Sequence, residues 1–233
     1  MARYNPRMGT RRTVVLFDID GTLITCGGAG RQAVKAAFLE LSGRDDVCDF
    51  PFDGATDRGI ARRGLTNAGL EPTEETIDAL LACYLRHLPA AIERSSRYAV
   101  LPGVPTLLDA LRDHEGLAIG LGTGNVEEGA FAKLRPGRLD AHFAFGGFGC
   151  DHEERARLLD AGARRGAARL GVARDACRVV IVGDTPKDIA AASAIGAECI
   201  AVATGSHGRA ELAGATTVLE DLSGPEALSI LLS

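Results

Sequence analysis

Four short apolar runs recur along this chain, and none of them alternates apolar with polar residues. They are Thr13–Phe17, Leu117–Leu121, Arg178–Val182 and Cys199–Val202. A strand without alternation is buried on both faces, which is typical of the centre of a parallel sheet. Stretches with helical periodicity separate the later runs, and this alternation of strand and helix indicates a doubly wound α/β layer.

The remaining elements of this layer follow from the same pattern. We expect a further strand over Ala141–Phe145, an edge strand over Thr216–Leu219 and a C-terminal helix from Pro225. The helices predicted between the strands are Val104–His114, Val126–Arg135, Glu153–Leu170 and Pro186–Ile195.

An all-helical insert interrupts the layer after its first strand. Its predicted helices are Ala29–Leu41, Thr56–Ala68 and Thr73–Arg94, and the chain rejoins the layer at the Pro-Gly pair before Val104. We therefore divide the chain into a flexible tail over residues 1–12, a core formed by residues 13–26 and 99–233, and a helical unit over residues 27–98.

Charge and cysteine usage narrow the function classes. The 233 residues carry a net charge of −5, which argues against a nucleic-acid binder. No apolar run approaches the roughly 18 residues that a membrane-spanning helix requires, so we expect no membrane partner. The six cysteines are scattered singly and do not indicate a disulfide framework. We expect a reducing, cytoplasmic environment.

The residues that directly follow three of the strands carry the chemistry. They are Asp18–Leu23 (DIDGTL), Gly122–Asn125 (GTGN) and Gly183–Asp188 (GDTPKD). Because ligands of such sheets bind beyond the carboxyl ends of the strands, we expect these segments to meet in one pocket.

Four carboxylates would crowd into that pocket, namely Asp18, Asp20, Asp184 and Asp188. Two unit charges about 4 Å apart repel by roughly 4 kcal/mol at an effective dielectric constant of 20. A hard cation with oxygen ligands relieves this repulsion, and Mg²⁺ suits a site with few carboxylates and a substrate phosphate. Aspartate is also a favoured N-cap, but helix capping explains a single aspartate better than four at strand ends.

These motifs resemble those of the haloacid dehalogenase superfamily. DIDGTL, Thr123–Asn125 (TGN) and GDTPKD match its motifs I, II and IV in order and spacing. The helical insert resembles the type-1 cap of the phosphoglycolate-phosphatase-like branch, including Gly54–Asp57 within it. The resemblance implies a Rossmann-like core and a Mg²⁺-dependent phosphatase that acts on a small phosphorylated metabolite.

The resemblance also implies roles for individual residues. Asp18 would attack phosphorus and form an aspartyl-phosphate, and Asp20 would serve as general acid and then general base. Mg²⁺ would be held by the Asp18 carboxylate, the Asp20 carbonyl and Asp184, with Asp188 in support. Thr123 would bind the phosphoryl oxygens. Further phosphate contacts are assigned to Gly21, Thr22, Gly124 and Asn125.

One motif departs from the family pattern. Motif III is usually a lysine, but the chain has no lysine between Lys133 and Lys187. We assign this role to Arg155, with Arg157 as second choice. In the helical insert, Arg58, Arg62 and Arg63 form a cationic face, and Arg58 is our candidate for contacting a second anion of the substrate.

Other reactions of the superfamily remain alternatives. Dehalogenases and phosphonatases are disfavoured because the chain keeps Asp20, the second acid of the D-x-D pair. A sugar phosphomutase of the β-phosphoglucomutase type keeps both Asp20 and Mg²⁺, so the sequence separates it poorly from a phosphatase. A weakly active or non-catalytic binding protein on the same scaffold is a further alternative.

Overall fold

The computed structural model describes residues 12–233, so the predicted tail lies outside the described residues apart from Arg12. Six parallel strands form one sheet in the order β5-β4-β1-β6-β7-β8. Their bounds are Thr13–Phe17 (β1), Leu117–Gly122 (β4), Gly146–Gly147 (β5), Arg178–Gly183 (β6), Glu198–Val202 (β7) and Thr217–Leu219 (β8). The α/β fold predicted from the apolar runs is confirmed.

The central position of β1 explains its composition. All five of its residues are buried, and Phe17 pairs with Leu121 of β4 on one side and with Val182 of β6 on the other. The carboxyl ends of these three strands therefore lie side by side. Five helices cover the two faces of the sheet: Val104–Leu111 (α4), Glu127–Leu134 (α5), Arg155–Arg169 (α6), Pro186–Ala194 (α7) and Pro225–Leu232 (α8).

The strand predicted over Ala141–Phe145 is wrong. Residues Asp140–His142 form a turn of 3₁₀-helix, and the strand is the glycine pair Gly146–Gly147 that follows. Phe143 instead packs its ring 6.1 Å from that of Phe17 in the core. Glycine is needed in the strand itself because a Cβ on Gly147 would overlap the Leu158 carbonyl of α6.

The helical insert consists of Ala29–Ser42 (α1), Asp57–Asn67 (α2) and Glu74–Glu93 (α3). The two chain segments that connect it to the sheet pair with each other as short antiparallel strands, Ile24–Thr25 (β2) and Ala99–Val100 (β3). Phe38 of α1 lies against Gly64 of α2, where a Cβ would overlap its ring. The division at residues 27 and 98 stays a prediction. Over residues 12–233, none of the helices combines the length and apolarity needed to cross a membrane.

Candidate active site

Three strand ends meet at the floor of one cavity of about 460 Å³. Asp18 follows β1, Thr123 follows β4 and Asp184 follows β6, and all three line the cavity. The helical insert supplies the opposite wall, including Ala55 of the loop before α2 and Tyr84 of α3. The predicted convergence of the three motifs is thus what the fold produces.

A tight turn after β1 presents the two aspartates of the D-x-D pair. The N–H groups of Leu23 and Ile24 both donate to the Ile19 carbonyl, at 2.9 and 3.1 Å. Gly21 has a φ of +86°, which an L side chain rarely adopts, and a Cβ there would also overlap the carboxylate of Asp184. The glycine of DIDGTL is therefore required both by the turn and by the neighbouring Asp184.

The acidic cluster consists of Asp18, Asp184 and Asp188, which present carboxylate oxygens within 4.8 Å of one another. Burial raises the pKa of Asp184 to about 8, and the charges of Asp18 and Asp188 add to this shift. Burial also raises the pKa of Asp18 to about 6, although Arg155 opposes the shift. Unbalanced buried negative charge of this kind fits a divalent cation with oxygen ligands.

Arg155 connects this cluster to α6. Its NH2 group lies 3.2 Å from Asp18 Oδ1 and 2.6 Å from Asp188 Oδ1, and its side chain is almost fully buried. Burial disfavours its charge, but Asp188 and Asp18 outweigh burial and raise the pKa of the guanidinium. Arg157, the second choice for this role, is exposed and pairs only with Glu154 at the surface.

The carboxylate of Asp188 is already fully engaged. Its Oδ1 accepts a 2.8 Å bond from Nε of Arg155, and its Oδ2 accepts bonds from the N–H and hydroxyl of Thr185 at 3.1 and 2.7 Å. These contacts with Thr185 form a capping box at the start of α7. Asp188 therefore holds Arg155 in place rather than offering a free oxygen to the cavity.

Lys133 of α5 is a site residue that the sequence reasoning missed. Its buried ammonium lies 2.6 Å from Asp20 Oδ2 and 2.6 Å from Asn125 Oδ1, and the Asn125 amide also donates to Asp20 at 3.0 Å. Withdrawal from bulk solvent raises the pKa of Asp20, but Lys133 and then Asn125 outweigh it and lower the pKa overall. The two members of the D-x-D pair thus have different cationic partners.

The Thr123 hydroxyl is held by Asn125 within the same loop. Its Oγ1 accepts bonds from the Asn125 side-chain amide at 2.8 Å and from the Asn125 backbone N–H at 3.3 Å. A hydroxyl that accepts twice still has its own hydrogen to donate. Thr123 lines the cavity, so this arrangement suits a donor to an anionic ligand.

Two of the predicted phosphate contacts are occupied inside the turn. The Gly21 N–H donates to the Ile24 carbonyl at 2.9 Å, and the Thr22 N–H donates to the Ile19 carbonyl at 3.3 Å. The Thr22 hydroxyl donates to Asp184 Oδ1 at 3.4 Å. Both residues therefore shape the turn and orient the acidic cluster, and neither has its N–H free for a phosphate.

Arg58 does not line the cavity, and its contact with a second anion stays a prediction. Its guanidinium pairs with Glu74 and, at 2.7 Å, with Asp78 of α3. The cation of the insert that does line the cavity is Arg31 of α1. Its two terminal nitrogens donate to the carbonyls of Cys48 and Phe50 at 2.8 and 3.0 Å, so it also holds the loop before α2.

Asp57 is a second buried carboxylate that the insert contributes to the cavity. Burial raises its pKa to about 6, while the charge of Lys133 opposes the shift. In the sequence, the only feature that pointed to Asp57 was its place in the Gly54–Asp57 segment, for which no role was predicted.

Comparison with known proteins agrees with this geometry. A family model described as haloacid dehalogenase-like hydrolase matches residues 13–196. No curated protein matches the chain.

Similar solved structures include a predicted phosphoglycolate phosphatase from Haemophilus somnus 129PT, with 17% identity, a TM-score of 0.67, and coverage of 96% of this chain and 99% of that one. CbbY from Rhodobacter sphaeroides, solved with phosphate, has 20% identity and a TM-score of 0.68 over 94% and 99% of the two chains. A β-phosphoglucomutase from Clostridium difficile has 16% identity and a TM-score of 0.70 over 95% and 96%. At these identities the likeness shows the shared fold.

Proposed function

Because this chain belongs to the haloacid dehalogenase-like hydrolases, we propose that it is a Mg²⁺-dependent phosphatase that hydrolyses a small phosphorylated metabolite through an aspartyl-phosphate on Asp18. One observation carries this proposal: the nucleophile candidate Asp18, the donor Thr123 and the carboxylate of Asp184 line one cavity, beside the buried cation of Arg155. The resemblance to the phosphoglycolate-phosphatase-like branch supports a monoester as the substrate.

In the proposed reaction, an Asp18 oxygen attacks phosphorus and the ester oxygen leaves with its alcohol. Splitting hydrolysis into two displacements replaces one difficult step by two easier ones. Arg155 lines the cavity with its NH2 group 3.2 Å from Asp18 Oδ1, and a guanidinium carries five N–H donors. It can therefore donate to a phosphoryl oxygen, and the Thr123 hydroxyl can donate to another, where negative charge is held in the transition state.

Asp20 serves as the acid and base of this scheme. In the free site its lowered pKa keeps it ionised. The negative charge of an arriving phosphate disfavours that ionised form, so a proton brought in with a monoanionic ester can pass to Asp20 and then to the leaving oxygen. In the second displacement, Asp20 takes a proton from the attacking water, which regenerates the free carboxylate of Asp18.

The residues for a divalent cation are those of the acidic cluster. Asp18 and Asp184 would hold it together with the Asp20 carbonyl, and Asp188 would support the site through Arg155. The cation supplies positive charge that keeps the nucleophile ionised and balances the phosphate. The fit rests on the donor set, because three buried carboxylates present oxygens within 4.8 Å of one another, and the raised pKa values of Asp18 and Asp184 agree with it.

The test is hydrolysis of p-nitrophenyl phosphate with Mg²⁺, with EDTA, and by the Asp18→Asn variant. We expect release that requires both Mg²⁺ and Asp18, while the matched control Asp175→Asn, an exposed aspartate remote from the cavity, behaves as wild type. Release that survives both EDTA and Asp18→Asn would refute the mechanism. A parallel sample with a sugar 1-phosphate separates hydrolysis, which yields free phosphate, from isomerisation.

We also propose a cytoplasmic location, where thiols stay reduced. All six cysteines are unpaired in the structure, and four of them are buried.

A further inference from the structure

Residues 53–57, which end at the first residue of α2, contact three of the segments that border the cavity. The Asp53 carbonyl accepts a 2.8 Å hydrogen bond from the ammonium of Lys187, in the first turn of α7. The Thr56 hydroxyl donates a 3.3 Å hydrogen bond to the carbonyl of Glu153, just before α6. The backbone N–H of Asp57 donates at 2.8 Å to the carbonyl of Gly124, after β4. Residues 53–57 of the helical insert are therefore hydrogen-bonded to all three of these segments.

Asp57 makes the most specific of these contacts. Its Oδ2 accepts a 2.9 Å bond from the N–H of Val126, and its own N–H is the donor to Gly124. Val126 is the residue that precedes α5, and it has no side chain able to cap the helix. The first N–H groups of a helix lack partners within the helix, so a carboxylate there is favourable. Asp57 of the insert therefore caps α5, whose own N-cap residue has no capping side chain.

The motif loop is shaped to receive this contact. A Cβ on Gly124 would overlap the Ala55 carbonyl oxygen and lie 3.0 Å from the Thr56 Cα. Gly124 is not among the residues with positive φ, so its backbone alone does not require glycine. The glycine of the TGN motif is thus explained by the close approach of residues 53–57.

We propose that Asp57 is a positioning residue, which caps α5 from the helical insert and thereby fixes Thr123–Asn125 for phosphate binding only when residues 53–57 are seated. The inference rests on the proposed function in that this loop binds the phosphoryl group. Since each contact favours the other, binding of phosphate and seating of the insert are coupled, and the coupling must act equally in both directions.

The test compares Asp57→Ala with Asp57→Asn, because an asparagine oxygen can accept the same bond from Val126 without the charge. Asp49→Ala is the matched control, an exposed aspartate of the same insert with no hydrogen bond among the described residues. The first measurement is amide hydrogen exchange over residues 124–130 in the full chain. The second is the dissociation constant for inorganic phosphate with Mg²⁺, and the third is kcat and KM for p-nitrophenyl phosphate.

For Asp57→Ala we expect exchange about tenfold faster at the start of α5 and phosphate binding about tenfold weaker, the usual effect of losing one N-cap bond. Asp57→Asn is expected to stay within about threefold of wild type in both. We expect the loss of activity in Asp57→Ala to fall mainly on KM, whereas general destabilisation would lower the active fraction and hence kcat.

Unchanged exchange in Asp57→Ala would overturn the proposal, and so would equal effects in Asp57→Ala and Asp57→Asn or an effect in Asp49→Ala. Should Asp57→Ala fail to fold, Gly124→Ala tests the same contact from the other side and is expected to speed exchange over residues 53–57. If no variant hydrolyses the ester, the proposed function fails, but the exchange measurement still decides the role of Asp57.

Discussion

Replacing Asp184 by asparagine is expected to stabilise the metal-free protein. Asp184 is 4% exposed, and its pKa is raised from 3.8 to about 8 by burial and by the charges of Asp18 and Asp188. A carboxyl whose pKa is higher in the folded state binds more protons there than in the unfolded chain. The free energy of unfolding is therefore highest below pH 3.8 and falls as the pH rises towards 8. Asparagine has nearly the same shape and does not ionise, so it removes this pH-dependent cost.

The size of the effect follows from the interval between the ordinary pKa of 3.8 and the pH of the experiment. At pH 7 this interval is roughly three units, which corresponds to about 4 kcal/mol. In a chain of this length 1 kcal/mol moves Tm by about 2–4 °C, so we expect Asp184→Asn to melt about 10 °C above wild type in EDTA. The Thr22 hydroxyl, which donates to Asp184 at 3.4 Å, can donate equally to the asparagine oxygen.

Thermal unfolding followed by circular dichroism, in EDTA and at several pH values, measures the difference. We expect it to be large at pH 7 and to shrink below about 1 kcal/mol near pH 4, where the folded-state carboxyl is protonated and the pH lies close to the unfolded-state pKa of 3.8. Asp175→Asn, at an exposed position, should melt as wild type does. Excess Mg²⁺ should then raise the Tm of wild type but not of Asp184→Asn. No gain at pH 7 in EDTA, or the same Mg²⁺ response in both proteins, would refute the reasoning.

Three further predictions concern other contacts. Arg155→Met is expected to lower kcat/KM for p-nitrophenyl phosphate by about 100-fold or more, Arg155→Lys by less, and the exposed Arg157→Met hardly at all. Lys133→Met removes the cation that lowers the pKa of Asp20, so the acidic limb of the pH–rate profile should move to higher pH; an unmoved limb would contradict that pairing. Gly64→Ala places a Cβ against a buried phenylalanine of α1 and should cost about 1–3 kcal/mol in urea unfolding, and a neutral result would show that the insert can repack.

The sheet and the meeting of the motifs could be predicted because both depend on local and strongly patterned features. Runs such as Thr13–Phe17 do not alternate apolar with polar residues, a pattern that is typical of central strands buried on both faces. Once the strands are parallel, the residues that follow them must share an edge, whatever the rest of the chain does. The positions of Asp18, Thr123 and Asp184 follow from this rule alone.

The features that could not be predicted depend on contacts distant in sequence. The apolar residues of Ala141–Phe145 suit a strand, but Phe143 is buried by packing on Phe17. The strand is formed instead by Gly146–Gly147, where the absence of a side chain allows α6 to approach closely. Arg58 lies on the expected cationic face of α2, yet Glu74 and Asp78 of α3 are close enough to pair with it. Neither partner is recognisable without the packing of one helix on another.

Lys133 could have been recognised from a weaker signal. Ala130 and Lys133 are three residues apart, so they share one face of α5, and both are buried. A lysine on the buried face of a helix is rare unless it is paired with a carboxylate. The family pattern places its lysine in a later segment of the chain, and that segment contains Arg155.

The two cations together explain how one turn can hold two carboxylates with different tasks. Lys133 lowers the pKa of Asp20, so the proposed acid–base residue is ionised without a metal. Arg155 pairs with both Asp18 and Asp188, and its charge does not fully offset the effect of burial, so the pKa of Asp18 is raised to about 6. The proposed nucleophile is therefore the member of the pair that needs further positive charge, and its ionisation would depend on the proposed cation. Environments that separate the pKa values of two neighbouring carboxylates in this way are how a site assigns different roles to chemically identical groups.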